Sequence, residues 1–527
     1  MLFRSQARSL QEDAVSRLAP DRSQGAAPAR VTSLERLSRL DDPQVAHLLL
    51  RFCAHPRVAH LLRGVRPDLA AADGVMPRFH RAILACLSGP DAGVARGPRF
   101  SDRAEALASL PTAVGGGAGL TRGDRVAHAA WLGSWGLAWH SMAALHPRLF
   151  DGVHLVPPPA SSAASVPSSL FAGIAASFEV VSAAEASILD ARGIGVTLPA
   201  GAPRPSHAPP VHPQEYAART HTQLQRAYGR YLHTEDWLRL RDSLTEPRER
   251  AWLMSCGFRS LGAQFMTAVP AFRALRMSPA EFSVAVRHHF AERQPVVTGV
   301  AVCGCGAAMG ERGDGAHYLE CRGGRTGNWF ARFHDAIERQ VARMMGEVYL
   351  GRGTVRTQDY TGHHHYSRSH IPDITVADYD GRGSTLVVEV SVFRPTCGAH
   401  LPVAAGDPLG GASRDVEQRR RADYGALAPG VRWRPFVLDT WGHLGPGTVR
   451  FLEELAEERG GRRRRRGAWA TVEGAFGGDD AEDPTISWLA GWRQRISVVV
   501  ARQAAQTISR RAVADLADQW GAAAMAV

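Results

Sequence analysis

Lysine is absent from this 527-residue sequence, so all 62 of its basic residues are arginine. The chain's permanent positive charges are therefore guanidinium groups, which stay charged and cannot act as a general base. Cysteine is scarce, at seven residues. Cys303, Cys305 and Cys321 crowd together, while Cys53, Cys86, Cys256 and Cys397 are scattered and read as small core hydrophobes. That spacing excludes a secreted disulfide framework and makes a reducing interior, nuclear or cytoplasmic, the expected compartment. No apolar run reaches the ~18 residues of a membrane span, and the N-terminus lacks the apolar stretch of a signal peptide, so neither membrane nor secretion is expected. There is no internal repeat of fixed period.

What is present is ordinary globular material, 45% apolar, with a net charge of +11. The length suits two to four domains, and the charge favours an anionic partner, nucleic acid before a membrane surface. The expected fold is α+β overall, with a mostly helical N-terminal half, a zinc knuckle, an α/β core and a helical C-terminal tail. Its stretches are a helical region (1–155), a Pro/Ala/Ser-rich linker with a short helix (156–215), a second helical region (216–297), the knuckle (298–326), the α/β domain (327–460) and a basic and acidic linker with a closing helix (461–527).

In the first half, apolar residues recur at three and four from Leu34 to Leu62, and Asp41-Asp42-Pro43 fits a helix start. Gly115 to Gly119 lacks the Gly-Lys-Ser/Thr of a phosphate loop and is expected as a flexible turn before a helix around Val126 to Leu132. Trp131, Trp135 and Trp139 fall on one helical face, where core packing is favoured over base stacking.

Cys303-x-Cys305, His317 and Cys321 can close a tetrahedron around Zn²⁺, a borderline-soft ion satisfied by thiolate and imidazole. Four protein ligands leave no open position, so the ion would be structural. The competing reading is free cysteines beside an unrelated histidine. Asn328 then suits the cap of a helix whose apolar stripe is Phe330, Phe333, Ile337, Val341 and Met344 or Met345. The His-rich stretch from Gly362 to His370 is expected as a solvated loop facing phosphate or substrate, with metal binding as the alternative.

Two β-like runs follow, Ile371 to Val376 and Leu386 to Val392, with Asp380-Gly-Arg-Gly383 as the turn. Glu389 interrupts the second, otherwise apolar, run, and a buried carboxylate is costly unless paired or metal-bound. Asp373 and Glu389 can converge on Mg²⁺, a hard cation that prefers oxygen and would assist phosphodiester hydrolysis. The plainer alternative is an aspartate in a turn and a glutamate paired with an arginine. A basic helix from Ser413 to Leu427, carrying Glu417, Arg420, Arg421 and Tyr424 on one face, a strand from Arg432 to Thr440 and a helix from Pro446 to Glu458 complete the order α-β-β-α-β-α.

At these residues the sequence resembles the restriction-like (PD-(D/E)XK) endonuclease at the C-terminus of site-specific non-LTR retrotransposon reading frames. The knuckle cysteines and histidine match, as do Pro372-Asp373 and Glu389. His334 matches the family's helix histidine, while Phe333 and Asp335 stand where Arg and Asn are usual. The likeness extends to Gly262–Pro270, to Phe436–Gly442, to the closing helix around Ile486–Arg511, and more loosely to residues 36–140, which are similar to the helical region after a polymerase palm. It implies a Mg²⁺-dependent DNA endonuclease whose nick exposes a 3′ hydroxyl for priming, with Asp373, Glu389, Arg420, Tyr424 and His334 at the site. Partners would be DNA, retroelement RNA and a polymerase supplied in trans. No Tyr/Phe-Ala-Asp-Asp signature occurs, so no reverse transcription is expected from this chain. The family's lysine is also missing: position 391 is Ser, and Arg420 or Arg421 occupies the helix position of its displaced form. Water activation would then rest on the metal. The rival reading is a catalytically inactive, zinc-stapled nucleic-acid-binding remnant. The run Arg462–Arg466 fits a nuclear address, a phosphate-binding tail or a solvated linker.

Overall fold

A computed structural model describes residues 33–68, 74–88, 94–145, 169–190, 224–257, 260–309, 313, 315–321, 329–351, 353–358, 371–407, 411–460 and 484–525. Apart from the helix at 169–190 within the first, the proposed linkers lie outside them, as do Asn328, the His-rich stretch and the Arg462–Arg466 run. The molecule is mixed α+β and divides into two compact units, one of residues 1–40, 46–94 and 105–243, the other of residues 41–45, 95–104 and 244–527.

The first unit is helical. Its main elements are α1 (Val75–Leu87), α2 (Gly123–Leu145), α3 (Ser169–Asp190) and α4 (Leu224–Ser243). Helices α2, α3 and α4 pack on one another, and Trp131 and Trp135 of α2 meet edge to face in the buried interior, with centroids 5.6 Å apart. Arg125 of α2 binds Glu235 and, at 3.0 Å, Asp236 of α4, so the helix pair carries an internal charge match. The glycines expected as a flexible turn are close-packed instead. A Cβ on Gly117 would stand 2.0 Å from the Leu110 carbonyl oxygen, and Gly119 has φ +75° beside the Arg51 guanidinium.

The second unit is built on a sheet of order β1-β2-β3-β4: β1 (Thr354–Thr357), β2 (Ile374–Ala377), β3 (Thr385–Phe393) and β4 (Val431–Asp439). Neighbours up to β3 are antiparallel, and β3 pairs with β4 in parallel. A parallel pair needs a long crossover. It is supplied by α9 (Leu401–Gly406) and α10 (Gly411–Tyr424). Residues Leu386 to Phe393 of β3 are buried without alternation, the mark of a strand covered on both sides. The turn into β3 is held by Asp380 Oδ1, which accepts from the Arg382 and Ser384 amides, with Gly381 and Gly383 at positive φ. Pro435, which has no amide proton, sits in β4 at the sheet edge.

Around the sheet lie α5 (Pro247–Cys256), α6 (Pro279–His289), α7 (Ala316–Glu320), α8 (Trp329–Val348), α11 (Pro446–Gly460) and the 42-residue α12 (Pro484–Met525). Helix α6 starts on a capping box between Ser278 and Glu281, with Pro279 in the first turn. Helix α8 buries the expected stripe of Phe333, Ile337, Val341, Met344 and Met345, whereas Phe330 is exposed at its start. The order in the core is α-β-β-β-α-α-β-α, a strand and a short helix more than expected. The added strand, Thr354–Thr357, is four residues long and mostly exposed, so no apolar alternation marks it.

Candidate metal centre and carboxylate site

The knuckle begins where Cys303 N donates to Ala307 O at 2.8 Å and Gly306 N to Cys303 O at 2.7 Å, a tight turn that Gly306 closes with φ +86°. His317 and Cys321 lie at either end of one turn, with the Cys321 amide donating to His317 O at 2.7 Å. Cys303 Sγ and Cys321 Sγ are 3.8 Å apart, and Cys305 Sγ is 3.4 Å from His317 Nε2. Two sulfur ligands at ~2.3 Å from a tetrahedral Zn²⁺ would stand about 3.8 Å apart, and a sulfur and a nitrogen at ~2.0 Å about 3.5 Å apart. The four donors therefore fit a zinc ion, and their chemistry, three thiols and an imidazole, suits one.

Helix α12 grips this knuckle. Arg511, buried on α12, donates to the carbonyls of Tyr318 at 2.8 Å and Cys321 at 3.0 Å. Asp515 accepts from Gly304 N at 3.1 Å, and Gln519 donates to Val302 O at 2.8 Å. From the other side, Arg394, just past β3, reaches the Glu320 carbonyl, and Thr396 its carboxylate.

The carboxylate site follows from the sheet register. Ile374, the first residue of β2, is opposite Val388, and Asp373 stands just before it, near enough for its charge to act on Glu389 of β3. Asp373 Oδ2 accepts from Val390 N at 2.8 Å. Glu389 and Ser391, two apart on β3, both meet α10: Tyr424 Oη donates to Glu389 Oε2 at 2.6 Å and Arg420 Nε donates to Ser391 Oγ at 3.1 Å. Arg420 Nε is also 4.0 Å from Glu389 Oε1. Arg421, the alternative cation, points away, lying over the Trp433 ring and donating to Gly425 O. Arg420, not Arg421, is thus the guanidinium that reaches Ser391 and Glu389.

His334 enters from α8, with Nε2 3.1 Å from the Val390 carbonyl and 3.4 Å from Asp373 Oδ2. Burial pushes the Glu389 carboxyl up to about 7, with the Asp373 charge adding to it and the Tyr424 hydrogen bond opposing. Burial works against a charged His334, but its hydrogen bond to Asp373 and that residue's charge outweigh it and raise the imidazole to about 9. All five expected site residues, Asp373, Glu389, Arg420, Tyr424 and His334, come together.

Glu338 belongs with them and was not anticipated. It lies one turn after His334 on α8, is 3% exposed, and accepts from Gln358 Nε2 at 3.3 Å. Burial, then the Asp373 charge, raises its pKa. The signal was available: Glu338 falls next to Ile337 inside an apolar stripe, the same anomaly that marks Glu389. Helix α10 also carries Glu417, whose carboxylate accepts the Gly447 and Thr448 amides at the start of α11. That residue ties α10 to α11 and takes no part in the site. Among the described residues, no helix is long and apolar enough to cross a membrane. No protein-family model matches the chain, and no curated protein matches it.

Proposed function

We propose that this chain is a metal-dependent DNA endonuclease module of retroelement origin, which hydrolyses a phosphodiester to nick target DNA. The observation that carries this reading is the closeness of Asp373, just before β2, to Glu389 on β3, whose carboxyl its charge raises, with Arg420 and Tyr424 delivered to the same place by the β3–β4 crossover. Oxygen donors in a buried, charge-deficient setting fit a hard divalent cation. Asp373 and Glu389 would hold Mg²⁺, which when bound supplies Lewis acidity and lowers the pKa of a water.

The protein's own part is to position and to neutralise. Tyr424 holds one oxygen of Glu389, and the other lies 4.0 Å from Arg420 Nε. Val390 N and His334 hold Asp373 in the same way. Arg420, half-buried and tied to Ser391, offers a permanent positive charge to the phosphate oxygens as negative charge grows on them. Arginine cannot take the proton from water, so in this reading it stabilises charge and the metal provides the nucleophile. The zinc knuckle, stapled to the end of β3 through Glu320, is a structural neighbour of the site and a candidate grip on nucleic acid. DNA is the proposed substrate, with retroelement RNA and a polymerase in trans as further partners.

The test is nicking of supercoiled plasmid with Mg²⁺ or Mn²⁺ by the wild type, Asp373→Ala and Glu389→Ala. Metal-dependent nicking that both substitutions abolish is expected. DNA binding without cleavage in every metal would replace the nuclease with a binding remnant.

A further inference from the structure

Helix α12 is packed along most of its length, yet its last turns leave one face bare. Arg502 and Gln506 still meet Glu281 of α6, and Arg511, Asp515 and Gln519 hold the knuckle. The face turned away from the knuckle carries Arg510, Val513, Ala517 and Trp520. All four are exposed, Val513 at 59% and Trp520 at 73%. Spaced three, four and three apart, they form a seam about 15 Å long, the repeat by which one helix presents a stripe to another. We infer that this seam pairs with the same seam of a second copy of the chain, the two helices running antiparallel. The inference is independent of the nuclease reading.

Two observations choose a second copy as the occupant. The first is charge. Beyond Arg511 the chain holds no arginine, and Asp515 and Asp518 lie in the same turns. Nucleic acid would meet one cation and two carboxylates there, the reverse of a phosphate-binding face. The second is self-complementarity. In a two-fold contact centred at the level of residue 515, positions equally far on either side oppose each other. Arg510 of each copy then faces Trp520 of the other, and Val513 faces Ala517. A guanidinium over an indole is a cation–π pair, one that this chain already makes where Arg459 lies over Trp488 at 5.6 Å and Arg495 over Trp492 at 4.6 Å. A branched residue against an alanine lets the two helices approach closely. Four residues a side bury less than the ~1,000 Å² of a standing complex, so the pair is transient, with a dissociation constant of roughly 10–100 µM.

The experiment is sedimentation velocity of the zinc-loaded full chain, free of nucleic acid, from about 1 µM to about 200 µM. The wild type is expected to pass from monomer to dimer across that range. Trp520→Ala, Trp520→Lys and Arg510→Glu are each expected to weaken pairing by about tenfold or more, and circular dichroism melts check that these surface variants are folded. The double variant Arg510→Glu/Trp520→Lys sets opposite charges across the two-fold contact and is expected to pair more tightly than Arg510→Glu or Trp520→Lys alone. A wild type that stays monomeric at the highest concentration would overturn the pairing, as would a dimer that the three single variants leave unchanged. A double variant no tighter than its single parents would overturn the antiparallel register. A monomeric wild type whose binding to a single-stranded oligonucleotide is lost in Trp520→Ala would give the face to nucleic acid instead.

Discussion

Arg420 shows how far one residue's chemistry constrains the site. It stands at Ser391 and Glu389 as a fixed cation on a helix, and in the proposed nuclease its loss would remove transition-state charge stabilisation more than substrate binding. Arg420→Gln is expected to lower the nicking rate by about 10²-fold with little change in the DNA concentration needed for half-maximal rate; an equal effect on both would make Arg420 a DNA-binding residue. His288 makes a different point. It is buried, stacked on Trp441 at 5.1 Å, and neither ring nitrogen has a hydrogen-bond partner among the described residues. Burial, aided by His289, lowers its pKa to about 3. Its folded value is depressed below the usual 6.5, so the unfolded chain takes up the proton first. The stability is whole above pH 6.5 and is lost as pH falls toward 3. His288→Phe should therefore flatten this acid loss, by on the order of 2 kcal/mol between pH 7 and pH 5, in urea unfolding measured at both values. An unchanged slope would mean that His288 is protonated in the folded protein.

At the scale of elements, α12 and the knuckle act as one piece. The carbonyls of Tyr318 and Cys321 accept from the same buried guanidinium, that of Arg511. Removing it leaves buried acceptors unmet, at about 1–3 kcal/mol. Arg511→Ala should release zinc about tenfold faster to a chromogenic chelator, and a release rate like that of the wild type would show that the four ligands hold the ion unaided. Helix α10 plays the matching part in the sheet. Its buried Glu417 meets the amide ends of α11, while Tyr424, also buried, and Arg420, half-buried, serve the site from the same face.

At the scale of the molecule, the second unit draws short pieces from far upstream. Arg287 is buried in a cage of carbonyls from Ala95, Arg96, Pro98 and Arg293, and the Gln44 amide donates to Ala268 and Leu275. A fragment beginning at residue 244 keeps the knuckle and carboxylate site but takes away the upstream partners of the Arg287 guanidinium and of the Ala268 and Leu275 carbonyls. It should melt well below the corresponding transition of the full chain, and adding a peptide of residues 95–104 should recover part of the loss. Equal melting temperatures would show that the cage contributes nothing.

The Cys3His cluster and the buried Glu389 were legible in the residues themselves, because clustered thiols and a carboxylate in an apolar strand are anomalies that few arrangements resolve. The same holds for α8, whose stripe announces its buried face, and for β3, whose uninterrupted burial follows from its composition. Other features depended on contacts between distant segments, which leave no local signature. Strand Thr354–Thr357 is short, polar and at an edge, so only its pairing with β2 makes it a strand. The choice of Arg420 over Arg421 was settled by the rotation of α10 against β3, and Glu338 became part of the site only when α8 packed beside Asp373. The sequence by itself determined which chemistry was available, since residue type sets charge, donors and burial cost. Only the tertiary structure decided which of those groups meet, because packing fixes the register and rotation of elements that are far apart along the chain.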